Sequence, residues 1–166
     1  MADPHADAPR ALVDPDQREL AAAGRRRRRA ERAVLLTVAV AGAIGALARD
    51  GVSRLMASPA GHFPWGTFAI NVSGSAAIGL VLVLLVERFP AARLARPLVV
   101  TGFLGAYTTY STYMVDADLL FRSHDLVTGA AYVLASLLAG TLAVAGGIVL
   151  GRFLVRFDGH LSEHLP

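Results

Sequence analysis

The sequence predicts an all-α membrane protein of four membrane-spanning helices, the third of them broken, and three observations carry that expectation. The chain of 166 residues, enough for one modest domain, is 54% hydrophobic and only 17% charged. Its apolar residues fall into four blocks, each close to the roughly 20 residues a helix needs to cross the hydrocarbon of a bilayer. The third block carries glycines and a run of hydroxyls at its centre, where an unbroken helix would hold Leu or Ala. Only helices and closed barrels satisfy their backbone in lipid, and four spans with short connections make a compact helical bundle.

Residues 1–32, rich in Ala, Asp, Pro and Arg, have no sustained apolar period and read as a disordered or loosely helical, Arg-rich cytoplasmic tail. A four-helix transmembrane domain follows over 33–157, with a C-terminal tail at 158–166. The first span opens at Ala33 with "AVLLTVAVAGAIGALA" and runs uncharged to Ala48; Arg49, Asp50 and Arg54 follow near its end, before the turn-like "ASPAGHFPWG". The second covers Trp65 to Val86 and ends at "ERFPAARLARP". The third runs from Pro97 to about Val115, with Asp116 and Asp118 before its end near Phe121. "RSHD" separates it from the fourth, Leu126 to Val155.

All 16 basic residues are arginine, and five form the run Arg25–Arg29. Such a run can mark nucleic-acid binding, but directly before an apolar segment it reads as a cytoplasmic anchor beside anionic lipid. The same region also imitates a signal peptide, with "ALA" at Ala46–Ala48 as the cleavage site. The long basic region and the three further spans argue against cleavage, and the intact mass of the purified chain separates the two readings.

The composition also limits the chemistry. There are no cysteines, and the five histidines (His5, His62, His124, His160, His164) are scattered through flanks and connections, so neither a thiolate nor a His-based metal site is expected. No nucleophile–base pair or phosphate-cradling loop appears, and the chain does not read as an enzyme. No acidic or basic residue lies deep in a span, whereas proton-coupled transporters generally place a titrating carboxylate there. Small residues recur within the spans (Gly42, Gly45, Gly74, Gly79, Gly140, Gly146, Gly147, Gly151), the composition of close helix packing in lipid.

The polar residues within the spans need a reason. In "GTFAINVSGS", Thr67 and Asn71 share a helix face, with Ser75 a turn further on. A threonine can bond its own helix, but the amide of Asn71 cannot be satisfied locally. It serves either as interhelical glue or as a donor facing a solute path. In "GFLGAYTTYSTYMVD" (Gly102–Asp116), the glycines weaken the helix and the hydroxyls compete for its backbone groups. Unwinding there frees carbonyls such as those of Gly105 and Thr108 for a cation. Tyr110 and Tyr113 project from one side, offering ring edges of partial positive charge to a small anion. Tyr132, Ser136 and Gly140 form a four-residue stripe in the last span.

"GAIGALARD", "GTFAINVSG" and "TGFLGAYTTYSTYMVD" resemble, in order and spacing, motifs of the bacterial fluoride channels (the Fluc or CrcB family), over roughly residues 40–152. The resemblance implies an antiparallel, double-barrelled dimer that exports fluoride passively and selectively, lowering its cytoplasmic toxicity. It implies a structural Na+ at the dimer interface, held by the carbonyls of Gly105 and Thr108. It further implies a fluoride pathway along Thr67, Asn71, Tyr110, Ser111, Tyr113, Tyr132 and Ser136, with Arg49 and Asp116 at a vestibule. Tyr110 and Tyr113 take the places of paired phenylalanines in that family, and Gly140 replaces a usual hydroxyl.

Arginine placement adds orientation. Thirteen lie on the side of the N-terminus and three (Arg49, Arg54, Arg122) on the other, which predicts both termini cytoplasmic in a multi-pass plasma-membrane protein. An antiparallel homodimer needs one chain inserted both ways, so the count points instead to a heterodimer with an oppositely oriented paralogue. Two other classes fit four spans: a small multidrug-type transporter, which expects a carboxylate in the first span where 34–48 has none, and a non-conducting partner or scaffold.

Overall fold

The computed structural model describes residues 15–89, 92 and 94–162, and every regular element among them is helical. The chain divides into two units, Met1–Leu35 and Leu36–Pro166.

The first unit holds the opening of helix α1 (Pro15–Leu55). Helix therefore covers residues 15–32, the described part of the stretch read from the sequence as a disordered or loosely helical tail. The reason is propensity: Gln, Arg, Glu, Leu and Ala are all good helix formers, and proline is tolerated at the first helical position. An ion pair one turn apart, Arg27 Nε to Glu31 Oε1 at 2.9 Å, adds a little to an exposed surface. The expectation for residues 1–14 lies outside the described residues, as does that for 163–166.

The second unit contains the rest. After Leu55, a turn with Gly61 at φ +79° leads to α2 (Trp65–Val83), which loosens into a π-helical turn over Leu84–Arg88. A longer π-helical stretch, Arg96–Leu104, passes into the single turn α3 (Gly105–Tyr107). Thr108 (φ −72°, ψ 157°) and Thr109 (φ −146°, ψ 120°) are then extended, and α4 (Tyr110–Arg122) resumes. His124 turns the chain at φ 61° into α5 (Leu126–Ser162), which carries on past residue 158, where a tail was expected. Asp125 caps α5 by accepting the Thr128 backbone N–H at 3.0 Å, and that bond holds its carboxyl below the usual carboxylate range.

Among the described residues three helices have the length and apolarity to cross a membrane: Glu19–Leu55, Trp65–Arg88 and Leu126–Phe157. The predicted third span does not join them as a single helix. Two extended threonines divide it, so neither half reaches membrane length by itself.

Close backbone approach holds α2 against α5. A Cβ on Gly147 would run into the Ala76 carbonyl and stand 2.9 Å from Leu80 N, and one on Gly79 would run into the Val144 carbonyl. Likewise Gly45 of α1 admits the Phe103 carbonyl of the π-helical stretch. Lipid tails are as apolar as leucine, so contacts of this kind, more than apolar burial, drive helices together in a bilayer. Gly146 faces open space within the subunit, so the packing role does not extend to it there. The interior is accordingly small: among the described residues Ala41, Ile70, Val83, Leu104, Ala117, Leu120 and Tyr132 are the buried apolar side chains, the last three clustering with Phe63, Phe68, Tyr113 and Val133.

Candidate functional site

The site is built around the break between α3 and α4. Unwinding Thr108 and Thr109 removes helical hydrogen bonds that the membrane interior cannot replace with water. Asn71 on α2 replaces them. Its Nδ2 donates to the Thr109 carbonyl at 2.9 Å, and its Oδ1 accepts the Thr109 backbone N–H, also at 2.9 Å. One side-chain amide thus closes both backbone groups of one residue, as a neighbouring strand would. Gly74 makes the approach possible, because a side chain there would collide with the Thr108 methyl group.

Thr109 also caps α4. Its hydroxyl oxygen accepts the Thr112 backbone N–H at 3.2 Å, and the same hydroxyl donates to Thr112 Oγ1 at 2.9 Å. Two carbonyls lose their helical donors as a result. In an unbroken helix the Thr109 N–H would serve the Gly105 carbonyl and the Thr112 N–H would serve the Thr108 carbonyl. Both N–H groups are bonded to side chains instead. The Gly105 and Thr108 carbonyls named from the sequence thus lie at the break, where helical N–H donors are redirected to side chains.

Thr67 and Asp116 come together across α2 and α4: the Thr67 hydroxyl donates to Asp116 Oδ2 at 2.6 Å. This commits the only proton of Thr67, so its hydroxyl is not available as a donor to anything else. The pair lines a cavity of about 340 Å³ together with Thr112, His62, Ser53 and Ser58. A second cavity, of about 260 Å³, lies at the break between Asn71, Ser75, Thr108, Thr109, Tyr110 and Tyr113.

An aromatic column joins the break to the loop after α1. Tyr110 and Tyr113 have ring centroids 6.0 Å apart, Tyr113 and Tyr132 5.3 Å, and Tyr132 meets Phe63 edge to face at 5.3 Å. The tyrosines differ in setting: Tyr110 is 75% exposed, whereas Tyr113 is half-buried and its hydroxyl donates to the Val133 carbonyl at 3.4 Å. Tyr132 is wholly buried. Its hydroxyl and that of Ser136, one turn along α5, are buried with no hydrogen-bond partner among the described residues.

Most of the residues singled out from the sequence therefore gather around the break and the faces of α2 and α5 beside it. Ser111 is exposed at the start of α4, its Oγ 3.4 Å from Thr109 Oγ1. Arg49 stands apart on α1, half-buried, with no hydrogen-bond or ion-pair partner among the described residues. Sequence reasoning missed Thr109, which anchors both the clasp and the cap, along with Thr112 and Phe63. A threonine followed three residues later by a polar residue is a helix-start signal, but inside an apolar span it was read only as a hydroxyl run.

The broken helix, the backbone clasp and the buried hydroxyls on membrane-length helices define an integral membrane protein built to admit a polar solute. Residues 36–148 match the family described as "CrcB-like protein, Camphor Resistance (CrcB)". The chain belongs to this CrcB-like family and is a multi-pass membrane protein. It is 47% identical over 116 residues to a protein of Streptomyces coelicolor named "Fluoride-specific ion channel FluC 1", covering 70% of this chain and 75% of that one. It is 41% identical to "Fluoride-specific ion channel FluC 2" of Nocardia farcinica (75% and 86% covered). It is 40% identical to "Fluoride-specific ion channel FluC" of Hahella chejuensis (73% and 96% covered). This membership leaves the multidrug-type alternative without support.

Proposed function

We propose that this chain is a subunit of a fluoride-selective channel that lets fluoride leave the cytoplasm passively. The observation that carries the reading is the pair of buried, unpartnered hydroxyls of Tyr132 and Ser136. A buried polar group without a partner costs about 1–3 kcal/mol, so two adjacent ones are retained for a ligand that the isolated fold does not supply. A small anion stripped of water requires hydroxyl, amide and ring-edge donors in series. Asn71 keeps one N–H beyond its clasp and lines the break cavity with Tyr110 and Tyr113. Ser111, Tyr132 and Ser136 extend the donor set. Thr67 takes part differently: it holds the Asp116 carboxylate by hydrogen bond in the larger cavity, and Arg49, apart from them on α1, would be the cationic member of a vestibule.

The carbonyls of Gly105 and Thr108, deprived of their helical donors, are the residues that would hold a structural sodium ion. Such an ion supplies a fixed positive charge beside an anion path. The assembly we propose is an antiparallel dimer of four-span subunits, with the two halves of the broken stretch together making the third crossing. Thirteen arginines against three favour a single orientation with both termini cytoplasmic, and hence a partner paralogue inserted the other way. Reporter fusions at the two termini are expected to place nearly all copies in that orientation. An equal mixture of orientations would return the assembly to a homodimer.

Fluoride efflux from proteoliposomes, with chloride as control, tests the function, using the chain alone and with its paralogue. Absence of fluoride flux in both preparations defeats the proposal. Tyr132→Phe gives a finer test. Removing an unpartnered hydroxyl should leave the melting temperature unchanged or higher, while fluoride flux falls about tenfold, equivalent to about 1.4 kcal/mol of lost stabilisation along the path. Unchanged flux in Tyr132→Phe would remove that hydroxyl from the pathway.

A further inference from the structure

The arginine run is not part of the site above, and its geometry in α1 gives it a role of its own. Arg25 to Arg29 are five consecutive helical residues, all exposed. Consecutive helical positions advance by about 100°, so five of them point in every direction around the axis. A surface that docks on a nucleic-acid duplex or an acidic protein needs its charges on one face, at spacings of three and four. A complete ring instead suits a helix surrounded on all sides by negative charge.

Spacing along the axis agrees. Arg29 lies four positions before Ala33, where the apolar run begins, and at about 1.5 Å per residue the ring spans roughly 6 to 12 Å beyond it. The headgroup layer extends roughly 5 to 8 Å outside the hydrocarbon. Arg29 and Arg28 therefore sit at its outer part and Arg25–Arg27 just beyond it, within a Debye length of the surface charge. The charge is also left available: no acidic residue lies between Glu19 and Glu31, and of the five arginines only Arg27 has an ion-pair partner among the described residues. Arg32 lies on the same stretch, three residues past the ring. Arginine, unlike lysine, can grip a phosphate with two parallel N–H donors.

We infer that Arg25–Arg29 form a collar that binds the phosphates of anionic lipid headgroups around the start of α1. The collar needs neither fluoride nor the dimer, so it stands or falls apart from the channel reading. The test uses the detergent-purified full chain and native mass spectrometry, titrating phosphatidylglycerol against phosphatidylcholine at matched salt. Wild type should take up phosphatidylglycerol preferentially, and the preference should weaken as salt rises. Changing all five arginines to glutamine (R25Q, R26Q, R27Q, R28Q, R29Q) keeps helix propensity, and phosphatidylglycerol affinity should fall at least about tenfold, since each charge near a membrane surface contributes roughly fivefold. The corresponding five lysine substitutions should retain most of the binding, which separates lost charge from a disturbed helix. Equal phosphatidylglycerol binding by wild type and the glutamine variant would overturn the collar. So would a random-sequence oligonucleotide that displaces phosphatidylglycerol from the wild type at physiological salt, which would reassign the run to nucleic acid.

Discussion

Asn71→Asp is expected to stop fluoride efflux and to loosen the helix break together. The two volumes are nearly equal, so the effect comes from chemistry alone. A carboxylate can still accept the Thr109 backbone N–H, but it has no proton to donate to the Thr109 carbonyl, and oxygen would face oxygen where a 2.9 Å hydrogen bond now stands. A buried carbonyl left in that condition costs about 1–3 kcal/mol. The substitution also puts a negative charge beside the cavity proposed for an anion, in surroundings of low dielectric where like charges repel strongly. Efflux should drop at least about 100-fold, and the melting temperature of the purified protein should fall. Asn71→Ala removes both halves of the clasp without adding charge. Its melting temperature should fall as far, with a smaller loss of flux. If Asn71→Asp conducts like wild type, neither the clasp nor the donor role survives.

Gly147→Val should prevent the subunit from folding, whereas Gly146→Val should not. The pair isolates close backbone approach from every other property of glycine, since the residues are adjacent on α5 and share its helical conformation. At Gly147 a side chain meets the Ala76 carbonyl and Leu80 N, backbone atoms that cannot swing aside; at Gly146 it meets nothing within 4 Å. Overpacking that forces a backbone apart costs about 3 kcal/mol or more. We expect Gly147→Val to yield little monodisperse protein and Gly146→Val to give a helical, cooperatively melting subunit. Similar behaviour of the two variants would show that the α2–α5 contact is not set by this approach.

Tyr110 and Tyr113 illustrate how one motif divides into two environments. Three residues apart on α4, they share a side, and their rings do lie 6.0 Å apart. Tyr113 nevertheless packs on Tyr132 and directs its hydroxyl to the α5 backbone, while Tyr110 remains 75% exposed on the isolated subunit. A hydroxyl that replaces a ring hydrogen thus has a partner at one position and is left for a neighbouring surface at the other. Spacing within α4 reports the shared side, but not which other helix stands opposite.

Much of the fold was present in the apolar blocks, because helical membrane segments are governed by local rules: enough consecutive apolar residues, and a backbone that satisfies itself. The break was legible for the same reason, since glycines and hydroxyls weaken a helix wherever they occur. Polarity left open whether the stretch before the first span is disordered or helical; arginine, alanine and glutamate sustain a helix there from Pro15 although they cannot enter lipid. The chain alone therefore determined the helical class, the three membrane-length helices, the arginine asymmetry and the place where the stretch from Arg96 to Arg122 divides. Only the tertiary structure decided that Asn71 closes both backbone groups of Thr109, that Thr67 gives its proton to Asp116, and that Tyr132 and Ser136 are buried without partners. Those facts depend on residues 38, 49 and more positions apart meeting at hydrogen-bond distance. Helical periodicity places a side chain on a face, but the partner on the facing helix is set by how closely the glycines let the helices approach.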